Sequence, residues 1–167
     1  MAFSADQFRQ LMRQHPAAVT VIATGAAPNR TGLTATAVMS LSADPVSIVC
    51  AINRSSLTCT KIIENKTFSV NTLADHQREL ASTFAGQTAL TGESRFTPDD
   101  WCTLESGAPV LRHAVISLDC ELMQAIETGT HTLLLGRVVA GQQSTDESAL
   151  VYVDGHWAGV DHSLATS

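Results

Sequence analysis

Residues 32–43 read Gly32-Leu33-Thr34-Ala35-Thr36-Ala37-Val38-Met39-Ser40-Leu41-Ser42-Ala43, and Asp44-Pro45 follows. The run predicts one long strand that the Asp-Pro pair ends. Successive side chains of a strand point to opposite faces. One face carries Leu33, Ala35, Ala37, Met39 and Leu41, an apolar set suited to a core. The other carries Thr34, Thr36, Val38, Ser40 and Ser42, four hydroxyls around one valine. An ordinary solvent-facing strand also carries threonine, but usually with Lys, Glu or Arg beside it. A polar face without charge suits a flat, hydrogen-bonding ligand.

The flanking sequence sets this strand among others. Upstream, Ser4-x-x-Gln7 forms a capping box, Phe8, Leu11 and Met12 follow at helical spacing, and Pro16 ends the helix. Residues 18–24 are rich in β-branched side chains and predict a strand, and 25–30 a turn-rich loop. Downstream, 46–53 reads as a strand, and Ser55 or Ser56 caps a short helix in which Cys59, Ile62 and Ile63 share a face. A strand over 67–73 leads to a helix capped by Asp75, with Leu80, Ala81 and Phe84 aligned. Residues 86–107 are irregular and too long for a simple connection, which marks a functional or interface loop. Two long strands, 115–127 and 131–140, and a hairpin turning at Asp154-Gly155 complete the chain.

Six or more strands with about three short helices, not alternating regularly, argue against a doubly wound parallel sheet. The expected class is mainly β: a closed or nearly closed antiparallel barrel with peripheral helices. Residues 1–161 are expected to form one domain and 162–167 a flexible tail. No repeat or linker divides the chain.

Composition narrows the function. Apolar residues make up 44% and charged residues only 16%, so the polar shell is thin and a second subunit is expected to cover part of the surface. The net charge of -6 with no basic run excludes nucleic acid as the expected partner. No signal peptide or membrane-spanning apolar run is visible, and the chain reads as cytoplasmic. Cys50, Cys59, Cys102 and Cys120 form no Cys-x-x-Cys pair and read as reduced, mostly buried thiols. The six histidines are dispersed, so no metal is expected. Gly-x-Gly-x-x-Gly, Walker and Gly-x-Ser-x-Gly motifs are absent.

Two further segments could carry chemistry. Asn53-Arg54-Ser55-Ser56 opens a helix, where free N–H groups, hydroxyls and an arginine could hold a phosphate. The same residues also fit a plain serine cap beside a surface arginine. Gly129-Thr130-His131 sets a histidine at a strand mouth, where it could contact a ligand or simply lie on the surface.

Taken together the chain resembles the flavin reductase-like family, with its FMN-binding split barrel of antiparallel, Greek-key type. It looks most like the short reductase components of two-component flavin monooxygenases. The resemblance runs from about Phe8 to His156. It rests on Ala18-Val19-Thr20-Val21-Ile22-Ala23-Thr24, the 32–40 run, Ser42-Ala43-Asp44-Pro45, Asn53-Arg54-Ser55-Ser56 and Phe68-Ser69-Val70-Asn71-Thr72-Leu73. Phe84-Ala85-Gly86, Arg95-Phe96, Trp101, Pro109-Val110-Leu111 and Gly129-Thr130-His131 complete it.

The resemblance implies FMN or FAD as the flavin and NADH or NADPH as hydride donor. It implies that Thr34, Ala35, Thr36 and Ala37, with Ser40 and Ser42, line the isoalloxazine and ribityl group. Asn53, Ser55 and Ser56 would hold the ribityl chain and phosphate. Phe84, Ala85 and Gly86 would close the site, partly from the neighbouring subunit of a homodimer. His131 would orient the nicotinamide. Reduced flavin would then pass by diffusion to a flavin-dependent monooxygenase or halogenase. Two other readings fit the same residues: a flavin-binding module without turnover, and a different oxidoreductase with tightly bound FMN. The chain departs from many relatives at Pro45-Val46, where they carry a double proline. It also departs at Gly129-Thr130-His131, where they carry Gly-Asp-His, and at Asp154-Gly155-His156-Trp157, a region expected to influence nicotinamide preference.

Overall fold

The computed structural model describes residues 2–160, so the expected tail beyond 161 lies outside the described residues. Helix α1 (Ala5–Arg13) begins as the sequence predicts: Ser4 accepts from Gln7 N, and the Gln7 side chain accepts from Ser4 N. Strands β1 (Ala17–Ala18), β2 (Thr20–Thr24), β3 (Thr31–Ala35), β4 (Val38–Ala43) and β5 (Val46–Asn53) follow. Next come helix α2 (Leu57–Asn65), strand β6 (Thr67–Thr72) and helix α3 (Arg78–Phe84). Strands β7 (Trp101–Thr103), β8 (Pro109–Leu111), β9 (Ile116–Thr128) and β10 (His131–Gln143) lead to the hairpin β11 (Leu150–Val153) and β12 (His156–Gly159).

Seven strands form one antiparallel sheet in the order β3-β2-β6-β9-β10-β5-β4. Strands β3 and β4 are consecutive in sequence yet stand at opposite ends of that order. The chain therefore crosses from one edge to the other at Thr36-Ala37, as it must where a sheet curls into a barrel. Strands β1, β11 and β12 form a separate small sheet, and Val19 carries the chain from it into β2.

The core has two parts, and β2 explains why. Val21 and Ala23 face one cluster, with Leu73, Phe84, Phe96, Trp101, Leu111 and Leu150. Ile22 faces the other, with Ile48, Ile52, Ile62, Phe68, Val70 and Leu134. A strand buried on both faces carries apolar residues without alternation; here Val21, Ile22 and Ala23 do so, and the buried Thr20 and Thr24 at its ends donate to Ala35 O and Thr67 O. The second cluster leaves no room at Gly136, where a Cβ would lie 2.5 Å from the Phe68 ring.

Three expectations require correction. The run 32–43 is two strands, because Thr36 and Ala37 belong to neither ladder. A bulge between Ser40 and Ser42 then shifts the register again, so the two-residue alternation does not persist. Leu33, Ala35 and Val38 pack against the second cluster, whereas Met39 and Leu41 are 62% and 48% exposed. There is thus no single hydroxyl wall and no single apolar one. Asp75 does not cap a helix: it opens a 3-10 turn, Asp75–Gln77, and its carboxylate meets Arg78 at 3.2 Å. The Gln77 side chain accepts from Ala74 N instead. Finally, the stretch 86–107 holds a 3-10 turn, Gly92–Arg95, and strand β7, which pairs with β8.

Candidate active site

The interruption at Thr36-Ala37 opens the site. A cleft of about 440 Å³ is lined by residues 33–37, where β3 ends and the crossing begins. The end of β5 adds Ala51, Ile52 and Asn53, and the start of β10 adds His131. Antiparallel pairing sets His131 directly opposite Asn53. Ala85 and Gln87 line it from beyond α3, and Tyr152 and Trp157 from the terminal hairpin. Four of these residues, Ala35, Ala37, Ala51 and Ala85, are small enough to let a wide planar ring lie close. Among the described residues, no Lys, Arg, Asp or Glu lines the cleft.

Hydrogen bonding sorts the expected residues. Thr34 donates to Ala81 O at 2.7 Å and so ties β3 to α3. Thr36 is exposed in the cleft. Asn53 Oδ1 accepts from both N and Oγ of Ser55, at 2.9 and 2.8 Å, which leaves its Nδ2 hydrogens available to a ligand. Ser56 is the cap of α2: it accepts from Cys59 N at 3.1 Å and donates to Asn53 O at 2.8 Å. Ser55 and Ser56 adjoin the cleft without lining it. Arg54 donates to Gly129 O at 3.3 Å and stands 3.7 Å from Glu127, so it braces the β9–β10 turn. His131 is exposed, with Nδ1 2.9 Å from Thr130 Oγ1. Ser40 and Ser42 are exposed on β4, outside the cleft, and Ser42 bonds Asp44 across the turn.

The triplet Phe84-Ala85-Gly86 divides its work. Phe84 is buried among Phe96 and Trp101, with ring centroids 5.1 and 5.6 Å away. Ala85 lines the cleft. Gly86, at φ +75°, ends α3 in the left-handed region that favours glycine and turns Gln87 into the site. Sequence reading missed Leu33, Ala51, Ile52 and Gln87, which carry no distinctive chemistry. Tyr152 and Trp157 belong to the stretch that the family resemblance ties to nicotinamide preference, and the two-residue Asp154-Gly155 turn pairs them across the hairpin. The structure has no cluster of metal-ligating side chains among the described residues. No described helix is long and apolar enough to cross a membrane.

The fold is thus a split antiparallel barrel with a cleft at its strand crossing that no charged side chain of the described residues lines. The chain belongs to the flavin reductase-like family, whose domain model matches residues 12–161. It is 37% identical over 152 residues to the FMN reductase (NADH) RutF of Acinetobacter baylyi, covering 91% of this chain and 80% of that one. Among solved structures it is similar to the NADH:FAD oxidoreductase SgcE6 of Streptomyces globisporus in complex with NAD and FAD fragments. That match has 27% identity and a TM-score of 0.82, over 92% and 90% of the two chains. It is also similar to BorF, the flavin reductase component of a bacterial two-component tryptophan halogenase. There the identity is 25% and the TM-score 0.86, over 94% and 98%.

Proposed function

We propose that the protein oxidises NADH and reduces FMN or FAD, and that the reduced flavin leaves for a partner monooxygenase or halogenase. The observation that carries this reading is the alanine-floored, uncharged cleft with Thr36, Asn53 and His131 at its edge. A bound flavin would supply the redox chemistry, as acceptor of a hydride from the reduced nicotinamide. The chain supplies binding and orientation, which account for much of the acceleration when two rings must meet face to face. Residues 34–37 line the ring and ribityl group. Asn53 donates at the ribityl end, with the Ser55–Ser56 turn beside it for the phosphate. Ala85 and Gly86 close the edge that Phe84 anchors. His131 orients the nicotinamide, and no acid–base pair is needed. Ser40 and Ser42 lie too far along β4 to belong to this set.

NADH is preferred over NADPH because, among the described residues, no Lys or Arg lines the cleft to receive a 2′-phosphate. A homodimer follows from the unpartnered apolar surface: α1 buries no residue, and Phe8, Leu11, Met12, Met39 and Leu41 are all exposed. Free thiols at Cys50, Cys59 and Cys120, buried in the second core, agree with a cytoplasmic location.

Steady-state loss of reduced-nicotinamide absorbance, with each nicotinamide against riboflavin, FMN and FAD, tests the reading. Turnover of added flavin with NADH, together with flavin lost on gel filtration and a dimeric mass by light scattering, is expected. Tightly retained FMN with poor turnover of added flavin would move the assignment to a different oxidoreductase.

A further inference from the structure

A second concavity, of about 400 Å³, is walled by the β2–β3 loop and the β7–β8 hairpin. Arg30 lines it and immediately precedes β3, whose other end, Leu33–Ala35, lines the cleft. The two hollows share no lining residue. Their chemistry is opposite. No charged side chain of the described residues lines the cleft, whereas Arg30 and Arg112 line this cavity and no described carboxylate does. That concentration of cations stands against the chain as a whole, which has 10 Lys and Arg for 16 Asp and Glu.

The two arginines are held differently. Arg30 Nε donates to Glu93 at 2.8 Å and Nη2 to Phe96 O at 3.4 Å, and the guanidinium stands 4.7 Å from the centre of the Phe96 ring. Its Nη1 hydrogens have no partner among the described residues, and its side chain is 15% exposed. Arg112 is fixed at its backbone: N donates to Asp100 O at 2.8 Å, and O accepts from Gln142 Nε2 at 3.3 Å. Its side chain is exposed and makes no ion pair or hydrogen bond among the described residues. Glu93 neutralises Arg30, so the charge left uncompensated at the cavity is that of Arg112. Trp101 borders the same cavity, and its Nε1 is the one buried side-chain polar atom among the described residues without a hydrogen-bond partner. A buried donor left unpaired is costly and calls for an acceptor from outside the chain. Ala26, Ala27 and Pro109 make the rest of the wall apolar.

We propose that this cavity is a binding site for a small organic monocarboxylate. The carboxylate pairs with Arg112 and accepts from Arg30 Nη1, the planar guanidinium being well matched to a planar anion. The indole nitrogen of Trp101 is covered, so its N–H meets the carboxylate only as the lining yields, and the unheld Arg112 side chain is the part that moves. The apolar body of the ligand lies on Ala26, Ala27 and Pro109. An inorganic anion meets only the first half of this surface, and a neutral amide only the second. The assignment does not depend on the flavin-reductase reading of the cleft.

Calorimetric titration of the full-length protein with benzoate, and separately with hexanoate, tests the assignment. Saturable binding of at least one is expected, with sulfate and benzamide each weaker by about tenfold or more. Arg112→Ala should weaken carboxylate binding by about tenfold, and Arg112→Glu should abolish it. Arg112 is exposed, so both variants should melt as the wild type does. Arg137→Ala removes an exposed arginine on β10, outside the cavity, and should bind as the wild type does. Saturating FMN should leave the affinity unchanged. Absence of saturable binding for both carboxylates overturns the proposal, as does binding that survives Arg112→Glu, falls equally with Arg137→Ala or is displaced by FMN. Sulfate or benzamide bound as tightly as the carboxylates also overturns it, because the first would need no organic body and the second no charge.

Discussion

Two sets of polar residues stand on or beside the same sheet and meet different fates. Ser69, Asn71, Ser117 and Asp119 are fully buried, and each finds its partners within the chain. Asn71 donates to Val21 O and Ser69 Oγ and accepts from Leu111 N; Ser69 donates to Pro109 O; Ser117 donates to Leu111 O. Asp119 accepts from N and Oγ of Ser106. Together they fasten the β7–β8 hairpin onto β6 and β9. Thr36, Asn53 and His131 lie at the cleft with donors or acceptors turned outward. Buried polar groups that the chain itself satisfies serve folding; groups left over at a concave surface await a ligand. Residue type does not separate the two sets, but satisfaction does.

The largest test of this contrast uses pH on the interior. Burial first, and then neighbouring negative groups, push the thiols of Cys50 and Cys120 up from 9.0 to about 12. Between those values the folded chain keeps protons that the unfolded chain releases, so stability falls as pH rises through this window. Chemical denaturation at stepped alkaline pH should show a steep decline, and a flat profile would contradict the buried placement.

A mutation in the same interior comes next. Asn71→Ala strands Leu111 N and removes a second donor from Val21 O, and should cost about 2 kcal/mol, lowering Tm by roughly 4–8 °C. Flavin and nicotinamide KM values of the protein that remains folded should barely move. A kinetic defect without a thermal one would dissolve the distinction between the two sets.

At the cleft the expected pattern inverts. His131→Ala should raise the nicotinamide KM or slow hydride transfer about tenfold, with Tm unchanged. Stopped-flow flavin reduction checks it, and unaltered kinetics would remove His131 from the mechanism. Thr36→Val should give the smallest effect, about a two- to threefold rise in flavin KM, again with normal melting.

Much of this architecture was legible in the chain. The capping box at Ser4, the β-branched run before Thr24 and the Asp154-Gly155 turn each name their element through local chemistry. The segment that first pointed to a ligand, 32–43, was misread for a physical reason. Its composition is that of a continuous strand, and only the closing of the sheet makes Thr36-Ala37 a crossing between two edges. The wall drawn from strict alternation therefore broke into a cleft-lining half, 33–37, and an exposed half carrying Ser40 and Ser42.

Local propensity, hydrophobic spacing and turn residues, all short-range, determined the class of fold, most strands and helices, the uncharged character of residues 33–37 and the family resemblance. The tertiary structure alone decided which polar groups were already satisfied, that Phe84 anchors while Ala85 lines, and that Tyr152 and Trp157 face residues more than 100 positions earlier in the chain. Those outcomes depend on long-range strand pairing, and pairing between distant segments is settled by how the barrel closes rather than by any one stretch of residues.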